Sequence, residues 1–223
     1  MAGAVAFVDL GAFADWAKSA GKDLASTDFT VPLKACRLIL IGATNANFAG
    51  GHDPDGNAWP GLAHARPSSR GSDKPLRDTG LLKASITSAG QGHVEELTPQ
   101  ALVFGTNLEY AAVHQYGDNN VVPKKAKMLS IPLSKDAARA GGARQFPRPL
   151  FVLTAKSGKL FLVETKAKGK GKKSKAKLLF HYILVKSVAI PARPYLGIGE
   201  KLADRIADVF HDHLIATLDK KAG

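Results

Sequence analysis

The stretch that most constrains the fold is Gly105–Gly117, with the sequence GTNLEYAAVHQYG. It directly follows the apolar run Ala101–Phe104, which predicts a buried strand because it is short, continuous and bounded by turn residues. Gly105 then allows a sharp exit from that strand, since glycine adopts backbone conformations that other residues avoid. The sequence therefore predicts a strand, a tight turn and a short helix in immediate succession.

The helix predicted in this stretch has barely two turns. We expect Asn107 to cap its first turn and Gly117 to end it. Tyr110, Val113 and His114 recur at intervals of three and four residues, so they share one face of the helix. A helix this short is marginal in isolation, and it therefore has to be held by packing against the rest of the chain.

Three further segments form ordered blocks with this one. They are DPDGNAWPGL at Asp53–Leu62, LRDTGLLKASI at Leu76–Ile86 and IPARPYLGIGEK at Ile190–Lys201. Together with Gly105–Gly117 they resemble the phage virion morphogenesis family, which includes tail completion proteins of contractile-tailed phages and a morphogenesis protein of Mu-like phages. The resemblance runs from the second predicted helix onward, except for residues 118–189, which are longer and more basic than the family implies.

The resemblance implies a structural virion protein of a tailed phage, made in the bacterial host cytoplasm. Its expected role is tail completion or head–tail connection, in the neck or as a tail terminator, without enzymatic activity or a cofactor. The expected partners are copies of itself in a ring, hexameric by analogy with tail tubes, other neck and tail proteins, and DNA in the channel. The residues assigned to the structural motif are Pro54, Gly56, Trp59, Asp78, Thr79, Gly80, Gly105, Tyr110, His114, Gly117, Arg193 and Pro194.

Length and composition indicate one domain with an elaboration. The chain has 223 residues, of which 45% are hydrophobic, so most of it should fold around a core. No apolar run reaches the length that spans a bilayer, and the first residues lack the basic start of a signal peptide. The single cysteine, Cys36, excludes an intrachain disulfide, and we expect it to be a small core residue rather than a nucleophile.

Apolar periodicity predicts an α+β fold, in which an antiparallel sheet packs against N-terminal helices and a C-terminal helix. Helices are expected at Asp9–Ser26, from Thr30 to about Phe48, and at Glu200–Leu218. The helix from Thr30 is expected to be enclosed on more than one side, because its apolar residues extend beyond a single face. The additional apolar residues are Val31, Cys36, Leu38 and Ile39.

A short helix and a three-stranded sheet are expected between residues 78 and 104. Asp78 or Thr79 can cap the helix, because both side chains accept hydrogen bonds from a first helical turn. The strands are expected at Ile86–Ala89, Val94–Leu97 and Ala101–Phe104. On this interpretation residues 1–117 and 190–223 together form one α+β body.

Residues 118–189 are expected to form a β-rich insertion that acts as an arm. They begin with a predicted turn, followed by a strand at Met128–Leu133 that carries Pro132 and should therefore lie at a sheet edge. Further strands are expected at Leu150–Thr154, Leu160–Glu164 and Leu178–Val188. The last two strands would form a long β-hairpin with a basic, disordered tip at residues 165–177.

That tip concentrates much of the positive charge of the chain. The net charge is +12, and residues 165–177 hold seven lysines and no acid, which leaves 12 − 7 = +5 for the remainder. One interpretation is a solvated tip; the other is contact with DNA phosphate or with an acidic partner. If the tip contacts DNA, the alternative to a structural virion role is a basic nucleic-acid-binding module. The seven lysines are Lys166, Lys168, Lys170, Lys172, Lys173, Lys175 and Lys177.

We find no catalytic or metal-binding motif in the sequence. It lacks a phosphate-binding glycine-rich loop, a His-Glu-x-x-His pair and a Gly-x-Ser-x-Gly elbow. His211 and His213 are two residues apart and point to different faces of a helix, so they cannot chelate one metal ion. His114 lies near Glu109 and Tyr110, but a packed structural histidine is favoured over a hydrolase, which would need a cleft with a paired acid.

Two motif positions leave alternatives open. The segment Asp53–Gly56 has turn chemistry that would dock Trp59 on the second helix. The alternative is a calcium loop, but the closing acidic ligand is missing. Arg193 either binds an acidic group on a neighbouring molecule or bonds to backbone carbonyls of its own chain.

Overall fold

The computed structural model describes residues 6–7, 27–62, 74–166 and 177–222. It contains helices and antiparallel sheets, which confirms the predicted α+β class. The helix predicted at Asp9–Ser26 lies outside the described residues, and so do residues 167–176 of the predicted basic tip.

The helices are α1 (Thr30–Gly50), α2 (Leu81–Thr87), α3 (Ala111–Tyr116), α4 (Lys135–Arg139) and α5 (Glu200–Ala222). The strands are β1 (Ala6–Phe7), β2 (His93–Leu97), β3 (Leu102–Thr106), β4 (Asp118–Val121), β5 (Leu129–Pro132), β6 (Phe151–Thr154), β7 (Leu160–Lys166), β8 (Lys177–Val185) and β9 (Val188–Ile190).

The chain divides into two compact units. The first, which we term the body unit, comprises Met1–Pro60, Gly80–Gly117 and Pro191–Gly223. The second, which we term the arm unit, comprises Gly61–Thr79 and Asp118–Ile190. The body unit is therefore assembled from three separate stretches of sequence.

Helix α1 is buried along one side only. It has Pro32 in its first turn, where a missing N–H costs nothing, and it ends at Gly51 in the left-handed conformation. Val31 and Leu38 are 69% and 65% exposed, so the prediction that this helix is enclosed on more than one side is wrong. The buried positions lie on one side of the helix: Pro32, Leu33, Cys36, Leu40, Thr44, Asn47 and Phe48.

Helix α2 replaces the first strand predicted for the sheet. Ile86 lies in its last turn and is completely buried, so the strand predicted at Ile86–Ala89 is wrong. The N-cap position is occupied by Gly80 with a φ of 76°, rather than by Asp78 or Thr79 as predicted. Glycine fits there because other residues rarely adopt a left-handed backbone.

Strand β3 is the centre of a three-stranded antiparallel sheet with the order β1-β3-β2. Gly105 pairs with Phe7 on one side and with Val94 on the other. Pairing on both sides keeps the backbone extended, and the strand continues to Thr106. The predicted exit from the strand at Gly105 is therefore wrong.

The turn after β3 also differs from its prediction. The N-cap of α3 is Tyr110 and makes no side-chain cap bond, so Asn107 does not cap this helix. Instead the backbone N–H of Asn107 donates to the carbonyl of Gly92 at 2.9 Å. The turn is thus fixed by a backbone contact with the residue that precedes β2, which no local sequence pattern indicates.

Helix α5 packs on the body unit through the apolar face that the sequence predicted. Leu202, Ile206 and Phe210 are buried, and the Phe210 ring lies 5.7 Å from the ring of Phe29. The two rings are tilted relative to each other, an arrangement that aromatic pairs favour. The helix continues beyond the predicted end at Leu218 to Ala222.

The arm unit contains a four-stranded antiparallel sheet with the order β5-β8-β7-β6. Pro132 lies in β5 at the sheet edge, where its missing N–H is tolerated. Gly158, with a φ of 77°, forms the turn between β6 and β7. Strands β7 and β8 pair along their lengths as the predicted hairpin. A separate ladder joins β4 to β9 through Asp118 and Ile190, where the sequence predicted only a turn.

A bulge in the hairpin orients two neighbouring side chains towards one core. Tyr182 pairs with Leu162 and Phe180 pairs with Val163, so His181 is the additional residue on β8. The Phe146 ring lies 4.4 Å from His181 and 6.0 Å from Tyr182. Because of the bulge, both residues pack on this aromatic ring instead of pointing to opposite faces of the sheet.

Candidate functional site

The first candidate site is an aromatic cluster in the body unit that joins two of the sequence blocks. Trp59 is buried, with its ring 5.7 Å from Phe48 on α1. Phe48 in turn lies 5.5 Å from the ring of Tyr195. The indole N–H of Trp59 donates to the carbonyl of Pro194 at 2.7 Å, which satisfies the polar end of a buried tryptophan. The cluster therefore attaches the Asp53–Leu62 block to the Ile190–Lys201 block.

Gln115 of α3 binds the same segment from another direction. Its Nε2 donates to the carbonyl of Leu196 at 2.6 Å. Its Oε1 accepts the backbone N–H groups of Tyr195 at 3.1 Å and Leu196 at 3.2 Å. The Tyr195 hydroxyl donates to the carbonyl of Ala111 at 3.1 Å, and burial raises the pKa of that hydroxyl. Helix α3 is thus fixed by buried polar bonds, as its marginal length requires.

Arg193 completes this arrangement and acts within its own chain. Its backbone N–H donates to the carbonyl of His114 at 2.7 Å. Its side chain is 5% exposed, and its Nε donates to the carbonyl of Pro60 at 2.8 Å. Burial lowers the pKa of the guanidinium. Two roles were considered for Arg193, and the structure shows the second: its side chain bonds to a backbone carbonyl of its own chain.

The turn at Asp53 is closed by its own hydrogen bonds. The Asp53 carboxylate accepts the backbone N–H groups of Asp55 at 2.9 Å and Asn57 at 2.8 Å, and the side-chain amide of Asn57 at 3.0 Å. These bonds, with the Asn57 side chain foremost, lower the pKa of Asp53. Among the described residues no group of His, Cys, Asp or Glu side chains is arranged to hold a metal ion. The Asp53 carboxylate therefore serves as the acceptor that closes the turn.

This turn packs on the start of α5. A Cβ built on Gly199 would collide with the carbonyl oxygen of Pro54 and with the Asp55 carboxylate. Asn47 adds a bond from α1, because its Nδ2 donates to the carbonyl of Tyr195 at 3.2 Å. We term the set of contacts around Tyr195 and Leu196 the Tyr195 clamp; its members are Asn47, Phe48, Pro54, Trp59, Ala111, Gln115, Arg193, Pro194, Tyr195, Leu196 and Gly199.

The structure brings only some of the predicted motif residues into the Tyr195 clamp. Pro54, Trp59, Arg193 and Pro194 take part, and His114 joins through its carbonyl. Tyr110 is partly exposed, with its ring 5.9 Å from that of His114. The remaining motif residues lie at turns, caps or pairing positions outside the clamp: Gly56, Asp78, Thr79, Gly80, Gly105 and Gly117.

Sequence reasoning missed the two polar side chains that bind the backbone of Tyr195 and Leu196, those of Gln115 and Asn47. Gln115 lies four residues after the buried Ala111 on the inner side of α3, and Asn47 immediately precedes Phe48 on the buried side of α1. The one indication in the sequence is a polar residue at the same helical spacing as the buried apolar residues. Such a residue needs a hydrogen-bond partner in the core, but the partner itself cannot be read from the pattern.

The arm unit contains a second cluster of ionisable groups, centred on His181. Ser134 Oγ lies 2.8 Å from His181 Nδ1, and Glu164 Oε2 lies 2.9 Å from His181 Nε2. Arg148 bridges Glu164 at 3.0 Å and Asp136 at 2.7 Å. The hydrogen bond from Arg148 lowers the pKa of Asp136.

The order serine, histidine, carboxylate also occurs in hydrolases, but here the groups are engaged in structure. His181 is buried against the Phe146 ring. Ser134 Oγ accepts the backbone N–H of Ala137 at 3.1 Å and thereby caps α4. A nucleophilic serine must meet its substrate beside the histidine, whereas this pair joins α4 to the sheet. The cluster therefore satisfies the two ring nitrogens of the buried His181.

The basic residues are segregated into one part of the chain. Residues 118–190 hold 17 of the 31 lysines and arginines but three of the 19 acidic residues, a formal charge of 17 − 3 = +14. The other residues carry 14 − 16 = −2. Lys166 ends β7 and Lys177 begins β8; the two pair across the hairpin and are exposed. The other five predicted contact lysines lie outside the described residues.

Comparison with known proteins places the chain in one family. A model of the phage virion morphogenesis family matches residues 8–140, more than half of the chain. The match contains the first three sequence blocks, and the fourth, Ile190–Lys201, lies beyond it. No curated protein and no solved structure matches the chain significantly. Within the parts that the structure describes, no helix has the length and apolar character needed to cross a membrane.

Proposed function

The chain belongs to the phage virion morphogenesis family, and we propose that it is a structural component of the head–tail junction, acting in tail completion or as a connector in the neck. Membership of the family makes it a protein of particle assembly and a component of the virion. We further propose that it forms a ring around the DNA channel, hexameric by analogy with tail tubes, and contacts other neck and tail proteins.

The observation that carries this proposal is the structural use of the sequence blocks. Two blocks meet directly where Trp59 donates to Pro194, and a third supplies Gln115. These side chains hold backbone segments together and leave no reactive group exposed at their centre. Such a clamp gives a rigid body from which an arm can reach neighbouring subunits, as a ring component needs.

The decisive experiment is a phage that lacks this protein. We expect filled heads and tails both to form but to fail to join stably, or the tails to end abnormally, as seen by electron microscopy of lysates. Expression of the full chain in trans should restore joined particles. A failure to assemble heads at all would instead move the protein from the junction into capsid assembly.

The longer stretch of the arm unit, Asp118–Ile190, can be tested separately, because β4 and β9 bring the two ends of that stretch together. Asp118 pairs with Ile190, so a short glycine-serine link from Gly117 to Pro191 can replace residues 118–190. We expect the shortened protein to keep a cooperative thermal transition, since the Tyr195 clamp is intact, but not to rescue the deleted phage. Normal infectious particles from it would exclude an assembly role for the arm.

The proposal also predicts that no chemical step depends on His114. A His114→Gln variant should retain the fold and restore particle formation, because the clamp uses the His114 carbonyl rather than its ring. The measurement is infectivity beside thermal melting. Loss of infectivity at an unchanged melting temperature would favour a catalytic role.

The charge segregation supports a second candidate function, DNA contact by the basic insertion. Exchanging the seven lysines of residues 165–177 for glutamine should then weaken DNA binding, and binding by the wild type should fall steeply with salt. Each lost phosphate contact should reduce the slope of log K against log salt by about one unit. Equal and feeble binding by both proteins would refute this candidate.

A further inference from the structure

One face of the arm sheet is apolar except for Thr165, and it is partly exposed to solvent. Residues that pair across antiparallel strands share a face, and neighbours along a strand alternate. Tyr182 and Leu162 therefore mark the face that packs on Phe146, and the opposite face, which we term the outer face, contains the alternate residues. Its members are Leu129, Ile131, Phe151, Leu153, Phe161, Val163, Thr165, Leu178, Phe180, Ile183 and Val185.

The outer face has the composition of an interface. Phe151 and Phe180 are 54% and 44% exposed, and the Phe161 and Phe180 rings meet edge to face at 5.2 Å. Val163, near the middle of the face, is buried. A contiguous apolar surface with exposed aromatic residues on a monomer marks a protein contact.

The charge distribution indicates what covers this face. Residues 118–190 carry +14 and the rest of the chain −2, so two arms packed face to face would bring strongly repelling charges together. The body unit offers the opposite sign. Glu200, Asp204, Asp208 and Asp212 recur every four residues along α5 and are exposed, so they form a ridge on one side of the helix. Lys201 and Arg205 lie on the same side, which leaves it a net formal charge of 2 − 4 = −2.

An apolar residue lies on the same side of α5 as this ridge. Ile215, seven residues after Asp208 and three after Asp212, is exposed. Residues at these spacings share a helix face. The side of α5 that bears the ridge therefore combines negative charge with an exposed aliphatic side chain. This combination complements an apolar sheet face on a basic arm.

We propose that the outer face is covered by the body unit of a second copy of this chain, with the α5 ridge and Ile215 of that copy against the arm. The contact is head-to-tail, and repetition of such contacts generates a ring when the rotation closes. This inference rests on the proposed function, which supplies the reason for several copies to meet in one particle.

Two full-length variants test the contact. The arm variant carries Phe151→Asp and Phe180→Asp; the ridge variant carries Asp204→Lys, Asp208→Lys and Asp212→Lys. Light scattering after size exclusion should show a wild-type oligomer that dissociates as salt rises, and each variant alone should be monomeric. An equimolar mixture of the two variants should form a dimer, because it retains one intact arm and one intact ridge.

Matched controls exclude general effects of charge and folding. Thr154→Asp places an acid on the other face of β6, and Glu96→Lys reverses a charge on β2, away from α5. Both controls should oligomerise as the wild type does. All variants should keep the wild-type circular dichroism spectrum, because every exchanged side chain is exposed.

A cross-link then identifies the two faces directly. Mixing a Phe180→Cys variant with an Asp208→Cys variant should give a disulfide-linked heterodimer under oxidation, since the native Cys36 is buried. The proposal is overturned if the wild type is monomeric at every salt and concentration, if either variant still oligomerises, or if the mixture stays monomeric. It is also overturned if a chain with both cysteines links within itself. These outcomes leave the deletion phenotype untouched, so the interface can fail while the role in assembly stands.

Discussion

The side chain of Gln115 pairs with the backbone of Leu196 as a second strand would. Its Nε2 donates to the Leu196 carbonyl at 2.6 Å, and its Oε1 accepts the Leu196 N–H at 3.2 Å. The two residues are 81 positions apart, so this pair joins α3 to the segment that leads into α5. It replaces backbone hydrogen bonds that an irregular segment cannot form for itself.

Replacing Gln115 with methionine should therefore destabilise the body unit. The change keeps the volume but leaves the buried N–H groups of Tyr195 and Leu196 and the Leu196 carbonyl without this partner. We expect the free energy of unfolding to fall by about 2–4 kcal/mol, measured by urea denaturation. The control is Gln100→Met, at an exposed position, which should change it by less than about 0.5 kcal/mol. Equal midpoints for the two variants would contradict the assigned role of Gln115.

Gly199→Ala should destabilise the fold because an added Cβ meets the Pro54 carbonyl and the Asp55 carboxylate. We expect a loss of about 1–3 kcal/mol in the free energy of unfolding. Gly42→Ala is the matched control, since a Cβ on Gly42 in α1 meets nothing within 4 Å. It should stabilise the protein by about 0.5–1 kcal/mol, because glycine weakens a helix interior. The measurement is the melting temperature of each variant. Equal shifts in the two melting temperatures would disprove the contact assigned to Gly199.

Phe210→Ala should cost about 3–5 kcal/mol of unfolding free energy, since it removes a buried ring that packs on Phe29. The control on the same helix is Ile215→Ala, whose side chain is exposed and should matter little to the isolated chain. Chemical denaturation at low protein concentration keeps self-association out of the comparison. Similar losses at both positions would show that α5 presents a different face to the core.

The Asp53 carboxyl should titrate below its usual pKa of 3.8. Its contribution to stability is then fully present above about pH 4 and is lost as pH falls through the lower folded pKa. Asn57→Ala should raise the pKa of Asp53 towards the usual value, because the Asn57 side chain is the largest cause of the shift. The measurement is an NMR titration of the Asp53 carboxyl carbon, with Asn119→Ala as a control that should leave the pKa unchanged. No change in the Asn57→Ala variant would show that backbone donors alone hold the carboxylate.

The sequence by itself determined the elements with a long and regular pattern. Helix α5 was predictable because apolar residues recur at helical spacing over many turns, and the β7–β8 hairpin because two β-rich runs flank a polar turn region. The segregation of charge is likewise readable without coordinates. These features depend only on neighbours along the chain, so a local pattern is sufficient to reveal them.

Tertiary structure alone decided the features that depend on distant partners. Ile86 lies in a helix, in the last turn of α2, where it is buried. Gly105 is extended because it pairs with strands on both sides. Val31 and Leu38 are exposed because α1 packs on one side only. Gln115 can be buried because backbone groups of Tyr195 and Leu196 form hydrogen bonds with its side chain. A polar side chain can be buried only where a partner satisfies it, and that partner is supplied by the fold and not by adjacent sequence.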